Sequence, residues 1–113
     1  MPIHAVQSLD ASAAASATTA IRMNQYQVPF NVGFGVYVTG AGDATVGIQH
    51  CFDAEASAGT QWFDHVDVSA GITVSASSPI DGNYAYPVAN VRMSLTAVSG
   101  TPTTRFIVLQ TGV

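Results

Sequence analysis

Lysine does not occur in this sequence, and charge of either sign is scarce. Three arginines, Arg22, Arg92 and Arg105, stand against seven Asp and Glu in 113 residues, for a net charge of −4. Three scattered cations form no basic stripe able to neutralise several phosphates, which argues against direct nucleic-acid binding. Charged residues make up 9% of the chain, against roughly 25% in ordinary soluble domains. A surface this poor in charge is either clothed in neutral Ser, Thr, Asn and Gln or buried against partners. Cysteine is equally sparse. Cys51 stands alone, whereas a small secreted domain usually carries an even set of pairing cysteines, so synthesis and assembly in a cytoplasm are expected. No apolar run approaches the roughly 20 residues that span a bilayer, and residues 1 to 20 lack the basic start and compact apolar segment of a secretory leader. No Gly-rich phosphate cradle links a strand to a helix, so no nucleotide site is indicated.

What is present is β-structure. The apolar fraction of 48% suffices for one core, and the length fits a single domain. Short β-branched and aromatic segments, broken by Gly, Pro, Asp and Ser at roughly ten-residue spacing, point to an all-β antiparallel sandwich or jelly-roll-like domain over residues 18–113. Ile21 and Met23 alternate with Arg22 and Asn24. Val32, Phe34, Val36 and Val38 alternate with Gly33, Gly35, Tyr37 and Thr39, a strand buried on one face; the two glycines are read as a close backbone approach. After the Gly40–Asp43 turn, Val46, Ile48 and His50 oppose Thr45, Gly47 and Gln49, and the two runs read as a hairpin. Residues 61–67 read as a strand carrying the single Trp62, an anchor in a core or an interface. Residues 72–76 form a further strand, and residues 77–83 read as turn chemistry. Val91, Met93, Leu95 and Ala97 alternate with Arg92, Ser94 and Thr96, and a Ser-Gly-Thr-Pro turn leads into a last strand at 103–110. There Phe106, Ile107, Val108 and Leu109 are consecutive, apolar on both faces, which calls for a second cover such as another subunit.

Residues 1–17, rich in Ala and Ser, show no stripe of large apolar positions and read as an extended N-terminal arm, which a neighbouring chain would have to order if it is ordered at all. A short helix there would be marginal in water.

Chemistry-bearing types gather only at His50, Cys51, Asp53, Asp64, His65 and Asp67. On a strand, His50 and Cys51 point to opposite faces, which suits no structural zinc site. Cys51 and His65 lack an elbow motif or an oxyanion hole, and the acids with Glu55 lack the alternation of a calcium loop. These residues read as a buried thiol, a rim histidine and solvated loop acids. No catalytic residue, cofactor or metal is assigned. The candidate interface residues are Phe106, Ile107, Leu109 and Trp62, together with Arg92 and Arg105, which the expected hairpin makes neighbours and which pair with acids of an adjacent subunit or keep an edge soluble.

The text from Gly82 to Gly100, GNYAYPVANVRMSLTAVSG, followed by residues 103–110, resembles small virion proteins of tailed bacteriophages; Ala44–Gln49 and Trp62–Asp64 fit the same scheme over roughly residues 28–111. The resemblance implies a β-sandwich assembled on the capsid surface of a virion. It would act as a decoration or cement protein whose partners are the major capsid protein and copies of itself, such as a trimer, with no nucleic acid and no membrane. A tail, neck or fibre component is the related alternative. A carbohydrate-binding sandwich stacking sugars on Trp62, Tyr84 and Tyr86 is the alternative of a different class, and it requires those rings to be exposed and roughly coplanar.

Overall fold

The computed structural model describes residues 3–13, 15–69 and 71–111. Ten strands follow one another among these residues: β1 (Ile3–Leu9), β2 (Ser16–Ala17), β3 (Ile21–Arg22), β4 (Val32–Thr39), β5 (Gly42–Cys51), β6 (Phe63–Asp64), β7 (Ile72–Ser75), β8 (Ile80–Tyr84), β9 (Asn90–Gly100) and β10 (Thr103–Gln110). They form two antiparallel sheets. One is four-stranded in the order β1-β10-β4-β8; the other has β9 and β5 at its centre, flanked by β2 and β3 on one side and β6 and β7 on the other. The chain is an all-β sandwich.

The core lies between the sheets and follows the period-two pattern. Val32, Phe34, Val36 and Val38 from β4 and Phe106 and Val108 from β10 face Val46 and Ile48 from β5 and Val91, Met93 and Leu95 from β9, all buried. Burying each such side chain contributes about 1.5–3 kcal/mol, set against about 1–2 kcal/mol per residue of backbone entropy lost on folding.

The two expected hairpins are not hairpins. β4 and β5 lie in different sheets, as do β9 and β10, so each connection is an arch that crosses the sandwich. Glycine makes the arches possible: Gly40, Gly42 and Gly100 have φ of 89°, 118° and 79°, a region L side chains rarely enter. The arches stack, with Gly42 opposite Gly100 in the β5–β9 ladder and the Thr101 N–H donating to the Ala41 carbonyl at 2.9 Å. A Cβ on Gly42 would lie 1.8 Å from the Ser99 carbonyl oxygen. A register shift between Thr45 and Val46 places Ala97 on the exposed side, so it leaves the row begun by Val91, Met93 and Leu95.

Two further expectations are corrected. Residues 3–9 are extended but do not form a separate arm: β1 pairs along its whole length with β10 of the same chain. Ile3, Ala5 and Leu9 pack against the core, so the division at residue 17 is no structural boundary. Ala11–Ala13 adds one 3-10 turn. Part of the expected turn at 77–83 is β8, in which Asp81 and Asn83 point outward and Gly82 makes room for the Phe34 ring; a Cβ at Gly82 would stand 2.7 Å from Phe34 Cζ.

Buried polar groups close the remaining gaps. Gln110 is fully buried, accepts from the Asn24 N–H at 2.8 Å, and donates to the Asn24 carbonyl at 3.0 Å and to Gln27 Oε1 at 2.8 Å. This clasp satisfies the amide where water is absent and ties the end of β10 to the loop before β4.

Candidate functional site

The outer face of the four-stranded sheet is apolar at its centre. Strand pairing sets His4, Val6 and Ser8 of β1 beside Leu109, Ile107 and Arg105 of β10, which in turn lie beside Gly33, Gly35 and Tyr37 of β4. Val6 and Leu109 are 49% and 47% exposed. The glycines do not mark a close approach, because a Cβ at either would meet only a carbonyl oxygen at 3.9 Å. They instead leave a trough of about 380 Å³, bounded by Ile107 and Leu109 on one side and Asp81 on the other.

The candidate interface residues therefore separate. Ile107 and Leu109 lie on this outer face, and Arg105 is exposed beside Tyr37. Phe106 has no exposure and packs near Phe34, ring centroids 6.5 Å apart. It belongs to the core of its own chain, because alternation turns it inward. Arg92 lies in the other sheet, so the expected neighbourhood with Arg105 is absent: the hairpin that would have joined them is an arch.

On the outer face of the six-stranded sheet, Arg92 and Gln49 are direct cross-strand partners. Arg92 Nε donates to Gln49 Oε1 at 2.8 Å, and Gln49 Nε2 donates to Asp64 Oδ1 at 3.3 Å. The guanidinium carbon sits 4.0 Å from the Trp62 ring centroid, a cation–π stack. Partial burial pulls the Arg92 pKa below its ordinary value, with Cys51 acting in the opposite sense. Beside it runs an open groove of about 450 Å³ lined by Ser16, Ala17, Ser94 and Thr96.

One end of the sandwich gathers aromatic rings around Tyr84, which is fully buried. His50 and His65 meet it edge-on at 4.9 and 4.8 Å, and its hydroxyl shares a 2.9 Å hydrogen bond with His50 Nδ1. His65 is held at both nitrogens: Nδ1 accepts from the Asp67 N–H at 3.1 Å, so Nε2 carries the proton and donates to the Asn83 carbonyl at 2.7 Å. Burial lowers the His50 pKa, His65 adds to the effect and Asp64 opposes it. Burial, then Tyr86 and Asp64, raises the Tyr84 phenol well above its ordinary range. Phe52, Phe63 and Tyr86 stay exposed around this pair.

The geometry bears on the chemistry considered from the sequence. His65, with both ring nitrogens engaged, has none left to act as a base, and Cys51 is buried with Sγ 3.6 Å from the Asp53 carbonyl. Among the described residues, no three His, Cys, Asp or Glu side chains converge as they would around a metal ion. Trp62, Tyr84 and Tyr86 form no common stacking platform: Tyr84 is inside, its ring perpendicular to that of Tyr86, and Trp62 is covered by Arg92. Among the described residues, no helix is long and apolar enough to cross a membrane.

Sequence reasoning missed Val6 and Gln49. The alternation of Ile3, Ala5 and Leu9 signals β1 and hence Val6, but the Ala/Ser run that follows hides it. Gln49 becomes visible only once β5 and β9 are known to pair. No family model, no curated protein and no solved structure matches this chain.

Proposed function

We propose that this chain is a non-enzymatic structural protein of a phage virion, a decoration or cement protein that docks on major capsid protein and on copies of itself. The observation that supports this reading is the outer face of the four-stranded sheet. Val6, Ile107 and Leu109 leave an apolar strip uncovered on the outer face of the four-stranded sheet, in a chain with too little charge to clothe it. An apolar strip of this kind marks a protein contact more often than a solvent face. The choice of major capsid protein as the partner rests on the resemblance of residues 82–100 and 103–110 to small virion proteins.

The test is attachment of the purified chain to capsids assembled without it, read by co-sedimentation. Leu109→Asp puts a charge into the strip beside Ile107, on a side chain that points away from the core. The expected result is a folded variant with an unchanged circular dichroism spectrum and attachment weakened at least about tenfold, the effect of a desolvated, unpaired charge. Attachment equal to that of the parent chain would remove this face from the contact.

A further inference from the structure

Arg92 is held in one orientation. A guanidinium on a long stem normally samples many positions, and holding it still costs side-chain entropy. Here three constraints fix it: the cross-strand hydrogen bond from Nε to Gln49 Oε1, the stack on Trp62, and the anchoring of Gln49 by Asp64. None of these uses the terminal amino groups, which have no hydrogen-bond partner among the described residues. Among the described residues no carboxylate lies within 4.0 Å of Arg92 either; the one ion pair among them joins Arg22 to Glu55 on the exposed surface. Asp64 is close enough to orient Gln49, yet the Gln49 amide stands between it and the guanidinium. A partly buried, oriented cation without a counter-charge is complementary to an acid supplied from outside.

The groove beside it indicates the source of that acid. Its floor is made of small side chains, Ser16, Ala17, Ser94 and Thr96, and the last two donate their hydroxyl protons inward to the Gly47 and Thr45 carbonyls. The groove is open and holds a single cation. A free acid would have little else to grip, whereas an acidic side chain carried by a docked protein arrives already positioned.

We infer that Arg92, stacked on Trp62 and set by Gln49, receives an Asp or Glu side chain of a neighbouring protein chain in the groove bounded by Ser16 and Ser94. This rests on the reading of the molecule as a docking protein, but concerns the sheet opposite the apolar strip, so the chain has two faces with different chemistry.

The experiment needs no particle, which separates its failure from failure of the capsid reading. Trp62 is the only tryptophan, so its fluorescence reports on the stack directly. The intact chain is titrated at constant ionic strength with the blocked tripeptides Ac-Gly-Glu-Gly-NH2 and Ac-Gly-Gln-Gly-NH2, and with succinate and inorganic phosphate. A saturable change with the Glu peptide, about tenfold weaker or absent with the Gln peptide, is expected. Arg92→Gln should abolish it while the variant melts as a folded protein, and Arg92→Lys, which keeps charge but loses the planar fork, should restore it only in part. Equal responses to the two peptides, or a response retained in Arg92→Gln, would overturn the inference. Tighter binding of succinate or phosphate than of the Glu peptide would overturn the assignment to a protein side chain.

Discussion

At the scale of single residues, His50 couples the core to pH. It is buried against Tyr84 with Nδ1 in the hydrogen bond to the phenol, and burial lowers its pKa below the ordinary value of 6.5. The unfolded chain therefore takes up a proton at this position at higher pH than the folded chain does. Stability rises with pH wherever the unfolded state holds more protons, so the His50 contribution is complete above about pH 6.5 and declines as pH falls from there toward the folded-state pKa. Urea unfolding between pH 7.5 and 5 should show this loss, with a slope from His50 of at most about 1.4 kcal/mol per pH unit. In His50→Gln the slope over that window should fall by this one-proton component. An unchanged slope would show that another group carries it.

At the scale of elements, β1 is the part whose role changed most between sequence and structure. It covers one edge of β10, and Ile3, Ala5 and Leu9 close one side of the core. A chain starting at residue 11 should therefore lose about 2–4 kcal/mol of the 5–15 kcal/mol typical of a domain, read as a lower urea midpoint. A truncated chain as stable as the parent would restore the idea of a dispensable arm. The strands themselves were legible where one face is buried and the other wet: Val32 to Val38, Val46 to His50 and Val91 to Leu95 announce their inward faces by alternation alone. Pairing was not legible, because a glycine-containing turn at 40–42 or 99–102 serves a hairpin or an arch equally well. Only the stacking of Gly42 on Gly100, between residues far apart in the chain, decides between them. For the same reason Ile107 and Leu109 could be named as outward candidates, while Phe106 could not be set apart from them until β10 was known to have its alternate side chains in the core. The partnership of Arg92 with Gln49 and Trp62 was hidden because it joins β9, β5 and the segment before β6.

At the scale of the whole molecule, the two sheets give the sandwich one outer face with an apolar strip and one with an oriented cation, each set on paired strands. A net charge of −4 with 9% charged residues leaves little long-range field to steer the chain to a partner. If the strip formed by Val6, Ile107 and Leu109 carries the docking, attachment draws its free energy from apolar area removed from water, which has two measurable consequences. The heat capacity of binding should be negative, and affinity should change little between about 0.05 and 0.5 M sodium chloride, because salt screens exposed charges and leaves apolar contacts nearly untouched. Replacing chloride with sulfate should strengthen attachment, since excluded salts favour burial. Calorimetry of capsid binding at several temperatures and salt concentrations measures all three. An affinity that falls steeply with chloride, by tenfold or more across that range, would move the principal contact to the Arg92 face, where a single ion pair dominates. A flat salt dependence that Leu109→Asp alone disrupts would assign the strip as the anchor and leave Arg92 to fix orientation, because an oriented charge pair contributes more to register and partner choice than to affinity.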